Sequence, residues 1–90
     1  MYVGVMHRIH DADAFFSRGE ALFNPPQGIR GIQFCPSKDA TQATCLWEGP
    51  SVDAVRELID GTLGDASENT FFEIDPDRSM GLPERAAAEA

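Results

Sequence analysis

Between Tyr2 and Asp75 the spacing of apolar residues changes period repeatedly, and few small folds accommodate that rhythm. Tyr2 to Ile9 alternates with the period of two expected of a strand. From Asp13 to Phe23 the period lengthens, and Phe15, Phe16, Gly19, Leu22 and Phe23 form one helical stripe. Asp11 or Asp13 supplies a capping oxygen at its start, and Asn24-Pro25-Pro26-Gln27-Gly28 stops it because proline cannot continue a helix. Two further strand-like runs, Ile29 to Cys35 and Gln42 to Glu48, flank the polar turn cluster Ser37-Lys38-Asp39-Ala40. Ser51 caps a second helix to Leu63, with Val52, Val55, Leu58, Ile59 and Leu63 as its buried stripe and Gly61 or Gly64 as its stop. Thr70 to Asp75 is the last strand.

Strand, helix, strand, strand, helix, strand is the split βαβ order, which predicts an α+β, ferredoxin-like fold. Four antiparallel strands then form one sheet, with both helices on one face. Residues 1–76 read as one domain, and residues 77–90 as a C-terminal arm, with fraying expected from Glu84 to Ala90. A chain of 90 residues buries only about 60 to 65 % of its unfolded surface. Two cysteines cannot build a disulfide framework, so pairing of two sheets into a homodimer is the expected source of extra stability.

The net charge of −8, with seven Lys and Arg, opposes binding to nucleic acid, whose affinity rests on basic groups against phosphates. No apolar run approaches the length of about 18 residues that a membrane helix requires. The first residues carry no basic-then-apolar blocks of an export signal, and a cytoplasmic location with reduced thiols is the expectation.

Alternation sorts the strands into two faces. Val3, Val5, Ile9, Ile32, Phe34, Leu46 and either Phe71 or Phe72 with Ile74 are expected beneath the helices. Met6, Arg8, His10, Gln33, Cys35, Cys45, Trp47, Phe71 and Glu73 are expected on the other face. His7 falls with Val3 and Val5 by parity, although one bulge would move it. A face mixing sulfur, aromatic and charged groups suits an interface or a ligand cavity.

The stretch Cys45-Leu46-Trp47-Glu48-Gly49-Pro50-Ser51-Val52-Asp53-Ala54-Val55-Arg56, within this element order, resembles the dimeric α+β barrel superfamily. In particular it is similar to small bacterial proteins of unknown function that include an actinobacterial nickel-binding protein. The resemblance implies a cavity enclosed between two sheets, and relatives in that superfamily include cofactor-independent monooxygenases.

Under that reading Met6, Arg8, Cys45, Trp47, Phe71 and Glu73 line a site for a small ligand. No organic cofactor is expected, since phosphate-binding glycine loops, CxxC, HExxH and nucleophile elbows are missing from the sequence. A transition metal, nickel or zinc, would take His10, Cys35 and Cys45. Cys45, close to Trp47 and Arg8, is the thiol favoured for a redox or nucleophilic role, and a Cys35–Cys45 disulfide requires the hairpin to set the two opposite. Two other readings stay open: a monooxygenase- or isomerase-like enzyme using Arg8, His10 or Glu73, and a structural or regulatory protein-interaction module.

Overall fold

The computed structural model of the chain describes residues 1–83, so the expected fraying of Glu84 to Ala90 lies outside the described residues. The elements run β1 (Tyr2–Ile9), α1 (Ala12–Gly19), β2 (Arg30–Pro36), β3 (Gln42–Glu48), α2 (Val52–Leu63) and β4 (Ser67–Glu73). The four strands form one antiparallel sheet in the order β2-β3-β1-β4, the ferredoxin-like arrangement. Among the described residues no helix is long and apolar enough to cross a membrane.

Local chemistry sets the boundaries. Asp11 caps α1 by accepting from the Ala14 amide at 3.1 Å, and Ser51 caps α2 through Ala54 at 3.0 Å. The α1 stripe tightens into a 3-10 turn over Glu20–Phe23 before the prolines end it. Gly64, at a φ of +56° that side chains rarely adopt, terminates α2. In the hairpin, Asp39 Oδ1 accepts from the Ser37 hydroxyl and from both the amide and the hydroxyl of Thr41. These bonds, the Thr41 hydroxyl foremost, hold the Asp39 carboxyl below its ordinary value.

Strand pairing decides which side chains the helices cover. β1 aligns Val3 with Trp47, Val5 with Cys45 and His7 with Ala43 on one side. On its other side Val3 meets Glu73, Val5 meets Phe71 and His7 meets Asn69. Both pairings keep odd numbers together, so one face collects Val3, Val5, His7, Ile9, Ala43, Cys45, Trp47 and Phe71. Phe15 of α1 and Val55, Ile59 and Leu63 of α2 complete the core on that face.

This pairing corrects the expected faces. Trp47, only 5 % exposed, and Cys45 lie beneath the helices, while Leu46 takes the opposite face. Phe71 and Glu73 also have helix-side parity, and Phe72 does not. The indole outcompetes Leu46 because it buries more apolar area and because Gly31 faces it: a Cβ there would stand 3.2 Å from the ring. A bulge between Gly31 and Gln33 then changes the phase of β2, bringing both Gly31 and Phe34 to the helix side. Phe34 therefore sits where the alternation expected it.

Ile59 is fully buried, so Ile59→Ala should lower unfolding free energy by about 2–5 kcal/mol in urea titrations. Loss of the α2 cap in Ser51→Ala should cost about 1 kcal/mol. A change under about 1 kcal/mol at Ile59 would contradict this core.

Candidate functional site

A cleft of about 400 Å³ opens between α1, the following 3-10 turn and the β2–β3 hairpin. Its floor is made by His7, Cys45, Trp47 and Ile59, and its walls are largely aromatic. Phe15 is buried at the back, whereas Phe16 (40 % exposed), Phe34 (45 %) and Phe23 (77 %) stand around the opening. Phe15 contacts Phe16 edge-on at 5.4 Å between centroids, and Phe34 lies 6.2 Å from Phe16, so the rings support one another. Arg30, paired with Glu48 at 2.7 Å, provides a charged group along the lining.

The polar groups on the floor form a chain with a defined direction. The Asn69 side-chain amide donates to Asp60 Oδ1 at 2.8 Å, which turns Asn69 Oδ1 towards His7. That oxygen also accepts from the Ser67 hydroxyl at 2.9 Å. Facing an acceptor at 2.6 Å, His7 Nδ1 must carry the proton and donate. The ring packs edge-on against Phe15, and its Nε2 lies 3.0 Å from Cys45 Sγ. Burial outweighs the Asn69 bond and the Asp60 charge and pushes the His7 pKa below 6.5, so the ring is neutral at pH 7. Nε2 is then an acceptor, and the Cys45 S–H donates to it.

Cys45 is correspondingly a thiol and not a thiolate. Burial pushes its pKa up from 9.0 to about 12. The indole N–H of Trp47 beside the sulfur pulls the other way, but does not close a hydrogen bond. It is a buried donor with no partner, an arrangement that costs about 1–3 kcal/mol when left unsatisfied.

The six residues expected to bind a ligand are divided by the sheet. Cys45 and Trp47 line the cleft. Phe71 has the same parity but lies half-buried with the Arg56 guanidinium 5.4 Å from its ring centroid, and Glu73 is exposed at the end of β4. Met6 and Arg8 are exposed on the opposite face, where Arg8 approaches Glu68 at 3.9 Å. Of the three groups considered for catalysis, none lines the cleft: Arg8 and Glu73 are placed as above, and His10 bonds Glu68 at 2.8 Å.

The proposed metal ligands do not fit one ion. Cys35 is exposed and aligned with Thr44 on the face opposite Cys45, and His10 lies beyond the end of β1. Among the described residues no three His, Cys, Asp or Glu side chains converge as a metal site. The same register places Phe34, not Cys35, against Cys45, and both cysteines are free.

His7, Asn69 and the phenylalanines of α1 were not among the site residues inferred from sequence. The signal available for His7 was parity with Val3 and Val5, which put a polar ring under the helices; what it met there depended on the β3 register. Comparisons with family models, with curated proteins and with solved structures find no match for this chain.

The buried pair should give stability a pH dependence on two sides. The unfolded chain binds a proton at His7 below about pH 6.5 while the folded one resists it, so stability should fall as pH drops through that region. For Cys45 the unfolded thiol ionises near pH 9.0 and the folded one near about 12, so stability present below pH 9 is lost as pH rises between them. Urea midpoints measured from pH 5 to 11 should therefore fall at both ends, with His7→Gln flattening the acid side and Cys45→Ala the alkaline side.

Proposed function

We propose that this protein binds a small, mainly apolar molecule carrying one hydrogen-bond acceptor, in the cleft between α1 and the β2–β3 hairpin. The observations that carry the reading are an aromatic-walled cleft of about 400 Å³ and the Arg30 guanidinium along its lining, a donor for that acceptor. Pockets for small molecules combine apolar walls with a few convergent polar groups, and this cleft has that composition. The exposed rings of Phe16, Phe23 and Phe34 provide apolar surface that a ligand would remove from water. The cavity belongs to a single subunit, so ligand binding does not depend on a dimer.

Trp47 is the chain's one tryptophan and serves as the reporter. Titration with 4-phenyl-2-butanone, an apolar ketone, should change its emission saturably. Phe34→Ala should weaken that binding by about fivefold to tenfold, corresponding to about 1 to 1.4 kcal/mol of lost contact. A strictly linear, non-saturating response in both proteins would contradict the reading.

A second reading rests on a separate observation. Met6 (55 % exposed) and Phe72 (45 %) share the sheet face opposite the helices, with half-buried Leu46 beside them. We propose that two copies pair sheet to sheet through this face, which removes these side chains from water. Native mass spectrometry at micromolar concentration should show a dimer, and Met6→Lys combined with Phe72→Lys should give a monomer whose ketone titration is unchanged. A monomeric parent protein would contradict this pairing and leave the ligand reading intact.

A further inference from the structure

Nucleophilic side chains become useful when a base stands within hydrogen-bond reach and a third group orients that base. The floor of the cleft has this arrangement: Cys45 Sγ is 3.0 Å from His7 Nε2, and His7 Nδ1 is held at 2.6 Å by Asn69 Oδ1. Asn69 is in turn fixed by Asp60, so the imidazole cannot turn its bare nitrogen away without breaking that network. The sulfur lines the cleft and is half-buried, which leaves it open to a molecule already inside.

We propose that Cys45 adds covalently to an α,β-unsaturated carbonyl compound bound in the cleft, with His7 as the proton carrier. This rests on the ligand-binding reading above. The thiol proton passes to His7 Nε2 as the sulfur electron pair forms a C–S bond at the β-carbon. The C=C π pair shifts towards the carbonyl and leaves an enolate. His7 then returns the proton to the α-carbon, giving a saturated thioether. One proton is taken and the same proton is given back, and no leaving group, water or oxidant enters the balance.

The lining favours this electrophile class over acyl donors. Acyl transfer uses the same single proton, passed on to a leaving group, but then needs a second, activated nucleophile to release the product. Conjugate addition needs one proton carrier, which His7 provides, and it ends at the thioether. An apolar body on the electrophile suits the rings of Phe15, Phe16 and Phe34. Ordinary hydrophilic alkylating agents should prefer exposed Cys35, since they gain nothing from the cleft.

The test uses the full chain carrying Cys35→Ser, incubated with 4-phenyl-3-buten-2-one and followed by intact mass and peptide mapping. One adduct of the enone's mass should form at Cys45 and vanish in the additional Cys45→Ser variant. With His7 as base, the rate should be nearly flat from pH 7 to 8.5, because the base is already unprotonated. An unaided thiolate of so weak an acid would instead give about a tenfold rise per pH unit. His7→Gln, checked for folding by circular dichroism, should react at least about 100-fold more slowly. The pH profile of the unaltered His7 protein decides the matter if that variant does not fold. Saturable binding of 4-phenyl-2-butanone without a Cys45 adduct from the enone would overturn covalent capture and leave ligand binding standing. Absence of both would overturn both, and a tenfold rise in rate per pH unit would overturn the role of His7.

Discussion

The central strand β1 is hydrogen-bonded along both edges, and the parity of its two pairings governs the rest of the molecule. Because side chains alternate along a strand, pairing odd with odd on both sides commits Val3, Val5 and His7 to one face together with Trp47, Cys45, Phe71 and Asn69. A slip of one residue in β3 would carry the indole and the thiol to the opposite face and leave Leu46 in their place. The hydrophobic gain from burying Trp47 with Val3, Val5, Val55 and Ile59 opposes that slip. The register that builds the core therefore also brings His7 against Cys45.

Burying an imidazole is costly unless its nitrogens are satisfied, and here both are. Asn69 accepts from one, Cys45 donates to the other, and Asp60 and Ser67 fix the orientation of Asn69. Low polarity on the floor keeps the pair neutral, with the thiol a much weaker acid than a free one and the ring a weaker base. Neutrality avoids a buried charge and leaves a proton poised between sulfur and nitrogen. The cleft above exists because α1 ends early: its last turn narrows to a 3-10 turn and Pro25 turns the chain away, so Phe16 and Phe23 remain at the opening without covering the floor.

Much of the fold was legible in the sequence. β1 and β3 have the bounds that their alternation marks, Ser51 and Asp11 act as caps, and the helical stripe of α2 is buried at Val55, Ile59 and Leu63. β4 starts three residues earlier than its apolar cluster suggests, at Ser67, because edge pairing with Ile9 extends it through polar residues. The candidate site was less legible. Alternation separates Leu46 from Cys45 and Trp47 but does not say which set is inside, and the set expected beneath the helices, that of Leu46, lies on the opposite face. The bulge at Ile32 left no mark in composition, yet it decides that both Gly31 and Phe34 face the helices. His7 lay on the right face by parity, but its partner Asn69 is 62 positions away, and only the β1–β4 register joins them.

The ligand cleft and the uncovered sheet face are thus separate consequences of one sheet, the first lined by odd positions of β1 and β3 and the second by Met6, Leu46 and Phe72. The central claim is the neutral, directional pair at the floor of the cleft. Long-range ¹H–¹⁵N correlation spectra of the folded protein at pH 7 report the tautomer and charge of His7 directly. The expected result is a neutral ring protonated at Nδ1, with Nε2 bearing the shift of a hydrogen-bond acceptor. An imidazolium pattern, or a neutral ring protonated at Nε2, would contradict it.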